Sequence, residues 1–390
     1  MEEKEIGLYI HIPFCKSKCY YCDFVSFANK EVLQERYVHC LKKEITQYAV
    51  ENKIMSEHNL ERKYIINTIY IGGGTPSILE QEYICDIMKT VKENFKIYDF
   101  PEITIEVNPG TVTKEKLQTY IDSGINRLSI GLQSVQDNLL KQIGRIHTYE
   151  QFLNTYNMAR RVGFDNINID LMIGLPGQTL EDVKESIKKV LDLKPEHIST
   201  YSLILEENTQ LYNLVNSKKQ ELPEEELERQ MYWYVKKTLE KHKYYQYEIS
   251  NFAKPGFESK HNINCWKQTE YIGIGAAASS FVDDKRYSNI ADLEKYIHNI
   301  ESGNSNKNLI LEEKLNNESK MKEYMMLGLR KINGVNIFEF EKRFNVNPVV
   351  KYCRELEKLN HEGLIIIIDE NIRLTNKGID FANLVWEEFI

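Results

Sequence analysis

The chain has 390 residues, of which 42% are hydrophobic, and this is enough apolar material for two or three domains with a sizeable core. Lys and Arg total 50 against 58 Asp and Glu, so the net charge of −8 argues against broad electrostatic binding to nucleic acid or anionic lipid. The charged amino terminus does not resemble a secretory signal, and no apolar run of about 18 residues occurs. We therefore expect a cytoplasmic protein without direct membrane insertion.

Short β-branched runs alternate with segments of helical length through the first half. The predicted strands are Gly7–Ile12, Thr68–Ile71, Ile103–Val107, Arg127–Leu132, Ile167–Ile173 and His197–Leu203. The predicted helices between them are Glu31–Glu51, Glu80–Asn94, Lys114–Ser123, Tyr149–Val162 and Leu180–Leu191. Strands separated by helices pair in parallel, so the pattern predicts an α/β fold with a partial (β/α)6 barrel over residues 1–205. The chemistry of such a barrel lies at the carboxyl ends of its strands.

The second half predicts an α+β accessory region over residues 206–308 and a C-terminal domain over residues 309–390. The C-terminal region has helix signals at Ser319–Lys331, Ile337–Phe344 and Val349–Glu362. They are followed by an apolar run at Leu364–Ile368 and a hairpin-like segment at Asp369–Thr375. Helices followed by a small β-ribbon predict a winged-helix-like domain. Because its acidic side chains slightly outnumber its basic ones, we expect a packing or lid role and not DNA reading.

Three of the seven cysteines form the pattern Cys15-x3-Cys19-x2-Cys22 directly after the first strand. An odd number of cysteines in a chain without a signal sequence is typical of reduced thiols. Three close thiolates can hold three irons of a [4Fe–4S] cluster and leave the fourth iron open to another ligand. The alternative is a structural zinc site, which needs four ligands and could take His11 as the fourth.

Glycine-rich and polar segments follow the other strands. Residues 72–76 read Gly-Gly-Gly-Thr-Pro, a loop whose backbone N–H groups suit a carboxylate or phosphate and which lacks the lysine of a Walker loop. Four polar side chains lie near the same predicted barrel mouth, namely Glu106, Gln133, Arg145 and Asp170. Each alone fits a structural salt bridge equally well, but together they predict a polar cradle for a ligand.

Residues 9–15, Tyr-Ile-His-Ile-Pro-Phe-Cys, with the two cysteines that follow, resemble the radical S-adenosylmethionine (SAM) superfamily and in particular its oxygen-independent coproporphyrinogen oxidase branch. The resemblance continues through GGGTPS (72–77), EVNPG (106–110), RLSIGLQS (127–134), NIDLMIGLPGQT (168–179), YEISNFA (247–253) and EYIGIGAAASSF (270–281). It is dense over residues 7–290 and looser beyond them.

This resemblance implies roles for individual residues. Cys15, Cys19 and Cys22 match the cluster ligands. The implied contacts of SAM are Tyr9, Tyr21, Gly73, Gly74, Thr75, Glu106, Gln133, Arg145, Asp170 and Ile204. In the superfamily the open iron binds the amino and carboxylate groups of SAM, and one electron then yields a 5′-deoxyadenosyl radical.

Two departures indicate the sister branch of haem chaperones. The oxidases carry a further cysteine where this chain has Phe24, and only six residues precede the first strand, so their N-terminal extension has no counterpart. The haem-linked HNxxYW motif of the sister branch reads His-Asn-Ile-Asn-Cys-Trp over residues 261–266. His261 is the implied haem ligand, with a hydrogen-bonded turn histidine as the alternative. Cys265 replaces the tyrosine, and we expect a core thiol there and not a second axial ligand.

The resemblance therefore implies a haem chaperone that carries haem as cargo to haem-accepting proteins, such as respiratory ones. A [4Fe–4S] cluster and SAM are the implied cofactors, and a homodimer is compatible with this reading. Two alternatives stay open. One is an oxygen-independent coproporphyrinogen III dehydrogenase, which decarboxylates propionates. The other is a tRNA-modifying radical enzyme, which the acidic charge disfavours.

Overall fold

The computed structural model describes residues 3–57 and 63–390. The strands of the first half are β1 (Glu3–Ile12), β2 (Phe14–Cys15), β3 (Phe27–Ala28), β4 (Lys63–Gly73), β5 (Lys96–Val107), β6 (Arg127–Gln133), β7 (Ile167–Ile173) and β8 (His197–Ser202). Its helices are α1 (Gln34–Glu57), α2 (Gln81–Asn94), α3 (Lys114–Asp122), α4 (Asp137–Gln142), α5 (Tyr149–Val162) and α6 (Leu180–Leu193). The predicted alternation of strands and helices is confirmed, and most differences are at the element ends.

The middle of the chain adds shorter elements. Its strands are β9 (Tyr245–Glu248), β10 (Asn251–Ala253), β11 (Tyr271–Ile274), β12 (Ser279–Val282), β13 (Lys285–Asn289) and β14 (Leu309–Lys314). Its helices are α7 (Gln210–Asn216), α8 (Glu225–Lys241), α9 (Lys260–Trp266) and α10 (Leu293–Glu301). Short 3₁₀ helices lie at Glu31–Leu33, Pro76–Ile78 and Ser305–Asn308.

The C-terminal region has the predicted winged-helix-like arrangement. Its elements are α11 (Asn317–Gly328), β15 (Val335–Asn336), α12 (Ile337–Phe344), α13 (Pro348–Lys351), α14 (Cys353–His361), β16 (Ile365–Ile368), β17 (Asn371–Leu374), α15 (Asn376–Asp380) and α16 (Ala382–Glu387). The three strands form an antiparallel sheet in the order β15-β17-β16, and the helices pack on it around a hydrophobic cluster of their own.

The main sheet is open and does not close into a barrel. Its twelve strands lie in the order β14-β13-β12-β11-β1-β4-β5-β6-β7-β8-β10-β9. The strands from β11 to β8 in this order are parallel, and the flanking strands are antiparallel. A partial barrel is thus the correct description. Because β11 of the accessory region pairs with β1, the sheet runs across residue 205, and the predicted domain boundaries stay predictions.

The two faces of the sheet differ in polarity. Along β6, Leu128, Ile130 and Leu132 are buried in the hydrophobic core, whereas the alternate residues Arg127 and Ser129 point to the other face. We call this other face the inward face. On it, Ser129 Oγ donates a hydrogen bond to Asp170 of the neighbouring strand, and Tyr70 Oη donates one to Glu106 of its neighbouring strand. A filled barrel would carry apolar layers there. The polar inward face therefore suits a bound polar ligand.

No helix of the described residues is long and apolar enough to cross a membrane.

Candidate functional site

The cysteine loop and the glycine-rich loop are joined by backbone hydrogen bonds. Gly74 N donates to Ile12 O at 2.9 Å, and Thr75 N donates to Phe14 O at 2.8 Å. A Cβ atom on Gly74 would lie 2.7 Å from Phe14 O and 3.0 Å from Cys15 Sγ, so this close approach requires glycine. The two loops that the sequence placed after adjacent parallel strands are thus neighbours.

The three cysteines lie on one turn and are held by neighbouring polar groups. Thr75 Oγ1 donates to Cys15 Sγ at 3.6 Å, and Arg145 Nη1 donates to Cys19 Sγ at 3.6 Å. Cys22 N donates to Cys19 O at 3.2 Å. Burial raises the pKa of Cys22 to about 11, so metal binding at this thiol must release a proton.

His11 is engaged elsewhere. Its Nε2 donates to Val25 O at 2.9 Å, and its Nδ1 accepts from Tyr9 Oη at 2.9 Å. Burial lowers the pKa of His11, so the ring stays neutral with both nitrogens occupied. Within residues 3–57 and 63–390, no three His, Cys, Asp or Glu side chains are grouped to hold a single metal ion. A zinc site on the three cysteines would therefore lack His11 as its fourth ligand.

Glu106 and Arg145 lie at the carboxyl ends of β5 and β6. Glu106 accepts from Tyr70 Oη at 2.9 Å and from Gly73 N at 3.1 Å. Burial raises the pKa of Glu106 to about 7, although the hydrogen bond from Tyr70 acts against that shift. Arg145 Nη2 donates to Gly131 O at 2.5 Å, whereas its Nε has no partner among the described residues.

The predicted residues Gln133 and Asp170 complete this edge. Gln133 ends β6 with φ +68°, a backbone conformation that non-glycine residues adopt mainly at strained functional positions. A Cβ atom on Gly131 would lie 2.9 Å from Arg145 Nη2 and 3.0 Å from Gln133 Nε2. Asp170 accepts from Ser129 Oγ at 3.0 Å, and burial raises its pKa. Glycine at 131 therefore leaves room for both polar side chains.

Tyr21 and Ile204 lie at the margin of the arrangement. Tyr21 is half-buried beside Cys19 and Arg145, and burial raises its pKa. Ile204 follows β8, is 68% exposed, and is not joined to the hydrogen-bonded residues.

His261 lies at the other end of the inward face, near the amino-terminal ends of the strands. Its backbone N and that of Lys260 donate to Glu102 at 3.0 Å and 2.9 Å, so this carboxylate caps α9. The ring Nδ1 is 2.9 Å from Thr68 Oγ1, and the ring stacks on Tyr70 at 5.2 Å between centroids. Thr68 therefore occupies Nδ1 and fixes the orientation of the ring.

Family models and relatives that match this chain identify its family. A model of the radical SAM superfamily matches residues 9–190, and a model of the HemN C-terminal domain matches residues 315–381. The haem chaperone HemW of Lactococcus lactis is 37% identical over 390 residues, covering 100% of this chain and 98% of the relative. HemW of Bacillus subtilis is 37% identical over 384 residues, covering 98% of each. This chain belongs to the HemW family of radical SAM proteins.

The fold agrees with that assignment. The structure of coproporphyrinogen III oxidase (HemN) from Escherichia coli superposes with a TM-score of 0.83, covering 99% of this chain and 90% of the other, at 23% identity. At that identity the likeness concerns the fold alone. Membership of a radical SAM family implies a [4Fe–4S] cluster and SAM, as the sequence predicted.

The residues present in this HemW-family chain fit those two groups. Three thiols on one turn, without a fourth ligand beside them, suit a cluster with one open iron. The free Nε of Arg145 suits a carboxylate, and Glu106 suits an ammonium group. The glycines at 73 and 131 leave room for the side chains of His11, Arg145 and Gln133 at the strand ends.

Sequence reasoning missed two residues that connect the site. Asn108 accepts from Arg145 Nη2 at 3.0 Å and donates to Thr75 Oγ1 at 2.8 Å, so it links the glycine loop to the arginine. Tyr70 binds Glu106 through its hydroxyl and stacks on His261 through its ring. Asn108 lay within the quoted EVNPG motif, which could have marked it. No local signal distinguished Tyr70.

Proposed function

We propose that this chain is a haem chaperone, which binds haem and transfers it to haem-accepting proteins with the help of a [4Fe–4S] cluster and SAM. Its full-length relatives carry the name haem chaperone HemW. The observation that carries the proposal is His261, whose ring is oriented by Thr68 through Nδ1 and whose Nε2 is the nitrogen we propose for the iron of haem. A homodimer and the identity of the acceptors remain predictions.

For the cofactors we propose Cys15, Cys19 and Cys22 as cluster ligands. The SAM contacts we propose are Tyr9, Tyr21, Gly73, Gly74, Thr75, Glu106, Gln133, Arg145, Asp170 and Ile204. When bound together, the two groups supply one-electron cleavage of a sulfonium. The chain orients the ligand through Arg145 and Glu106, whose positions are fixed by Asn108 and Tyr70.

SAM affinity is expected to fall as the pH is lowered through about 7, the pKa of Glu106. The raised pKa means that the carboxylate takes up a proton in this range, and a neutral carboxyl group no longer attracts the ammonium group of SAM. The loss should approach roughly tenfold per pH unit below the pKa. Equilibrium dialysis of SAM against reconstituted protein measures it.

Glu106→Gln is the matched variant, because it keeps the shape and removes the titration. It should bind SAM weakly and with little pH dependence over the same range. If Glu106→Gln retains the full pH dependence of the wild type, then another group titrates, and the role given to Glu106 is wrong.

Haemin titration of the wild type should produce a Soret band that His261→Ala largely abolishes, because the variant loses the proposed imidazole ligand. His242→Ala is a suitable control, since His242 ends α8 and its Nδ1 donates to Thr238 O on the surface. An unchanged Soret spectrum in His261→Ala would show that His261 is not the haem ligand.

Transfer is tested by mixing the haem-loaded protein with a haem-free acceptor and following the acceptor's spectrum. The shared fold with HemN keeps coproporphyrinogen III dehydrogenase as the second candidate. If the protein converts coproporphyrinogen III to protoporphyrinogen IX under anoxia and does not transfer haem, then the chaperone proposal is wrong and the dehydrogenase is the function.

A further inference from the structure

Arg127 is a buried charge that forms no ion pair with the described residues. It begins β6, points to the inward face and is 2% exposed. Its Nη1 donates to Thr104 Oγ1 at 3.5 Å, and its Nε has no acceptor among the described residues. No carboxylate oxygen of those residues lies within the 4.0 Å of an ion pair. Burying an unpaired charge is costly, so a residue of this kind suits an anion that comes from outside the chain.

The inward carboxylates near Arg127 are bonded to other groups. Asp170 accepts from Ser129 and from Asn168 Nδ2, the latter at 2.7 Å. Glu106 is bonded to Tyr70, and Glu102 caps α9. The two carboxylates at 102 and 106 flank Thr104 along β5, yet neither forms an ion pair with the guanidinium. Arg127 therefore has no direct carboxylate partner among the described residues, although its charge acts to lower the pKa of Asp170.

Arg127 and His261 share one end of the inward face. Thr68, which holds the His261 ring, lies on β4, and Thr104 lies on the next strand, where it pairs with Arg127 of β6. Thr68 pairs with Glu102 and Arg127 pairs with Thr104, so Thr68 and Arg127 are two strands apart, which is about 10 Å, and are also offset by two residues along the strands. Burial lowers the pKa of His261 to about 4, and the charge of Arg127 acts in the same direction, as expected for neighbours. The imidazole of His261 and the guanidinium of Arg127 are thus both buried near the same end of the inward face.

We propose that Arg127 binds a propionate carboxylate of the haem whose iron is ligated by His261. This inference rests on the proposed chaperone function. A metalloporphyrin offers both partners at once, an iron for Nε2 and a carboxylate for the planar fork of the guanidinium. No residue of the sequence-predicted SAM set is needed for this contact.

Binding of haem to His261 and Arg127 requires α9 to move, because both side chains are buried. Of the seven residues of α9, only His261 is buried, and the others are half-buried or exposed. The helix is held mainly by polar contacts, namely the Glu102 cap and the bond from Thr68. Trp266 at its end stacks on Arg330 of the C-terminal region at 4.5 Å. Local opening of this short helix uncovers His261.

The test compares haemin with haemin dimethyl ester, which keeps the iron and lacks the anionic carboxylates. Spectroscopic titration of the wild type should give tighter binding of haemin than of the ester. Arg127→Gln should weaken haemin binding by roughly 10- to 100-fold, the loss of a charge-assisted pair, and leave ester binding nearly unchanged. Arg160→Gln is the control, because Arg160 pairs with Glu196 at 2.6 Å outside the site and should not change the preference.

Arg127→Lys covers the case in which glutamine at this buried position prevents folding. It keeps the charge and loses the fork, so an intermediate preference for haemin is expected. Equal affinities of the wild type for both porphyrins, or equal weakening of both by Arg127→Gln, would overturn the proposal. These outcomes differ from failure of the chaperone proposal, in which the wild type binds neither porphyrin or His261→Ala binds both normally.

Discussion

Replacing Cys15, Cys19 or Cys22 by alanine is expected to remove nearly all iron and acid-labile sulfide from anaerobically reconstituted protein. Three thiolates are the fewest that hold a cluster with one open iron, so two leave it bound at only half of its corners. The three cysteines lie on one turn, and two of the thiols are already held by Thr75 and Arg145. Iron and sulfide analysis, together with the absorbance of the cluster, measures the loss.

Cys353→Ala and Cys85→Ala are the matched controls, since Cys353 is exposed and Cys85 lies on α2, away from the cysteine loop. Both should retain wild-type iron and sulfide. Stoichiometric zinc with no sulfide in the wild type would contradict the cluster, and so would normal iron content in all three alanine variants.

The sequence predicted most of the strands well because their outward faces are apolar. In β6, the alternation of Leu128, Ile130 and Leu132 with polar residues identifies a strand with one face in the core. Residues at the carboxyl ends of such strands meet at one edge of a parallel sheet, so the placement of Glu106 and Gln133 at the same edge followed from chain order alone. The winged-helix-like region was predictable for the same local reason.

Long-range features were not predictable from local patterns. Strand β11 pairs with β1 although more than 250 residues separate Gly7 from its partner Tyr271, and no periodicity encodes that choice. The burial of His261 against Thr68 depends on where α9 lies, which the motif does not specify. The positive φ of Gln133 also has no signal in the residue type. These features depend on tertiary packing and not on propensity.

A buried carboxylate binds the segment that follows β11. Glu44 of α1 accepts from Gly275 N at 2.9 Å, from Asn289 Nδ2 at 2.6 Å and from Tyr296 Oη at 2.5 Å. Burial raises the pKa of Glu44, while all three donors act against that shift. One side chain thus joins α1 to the turn after β11, to β13 and to α10. Because its partners are buried, water cannot replace Glu44 as their hydrogen-bond acceptor.

Glu44→Ala is therefore expected to lower the free energy of unfolding by about 3 kcal/mol or more, because it leaves three buried donors without an acceptor. Glu44→Gln keeps one acceptor oxygen and the shape, so it should lose roughly 1 to 2 kcal/mol. Urea unfolding followed by circular dichroism compares the two variants. Equal stability of Glu44→Ala and wild type would show that the donors find other partners. A larger loss in Glu44→Ala than in Glu44→Gln would support the role of this side chain in holding β11 beside β1, the strand that carries Tyr9 and leads into the cysteine loop.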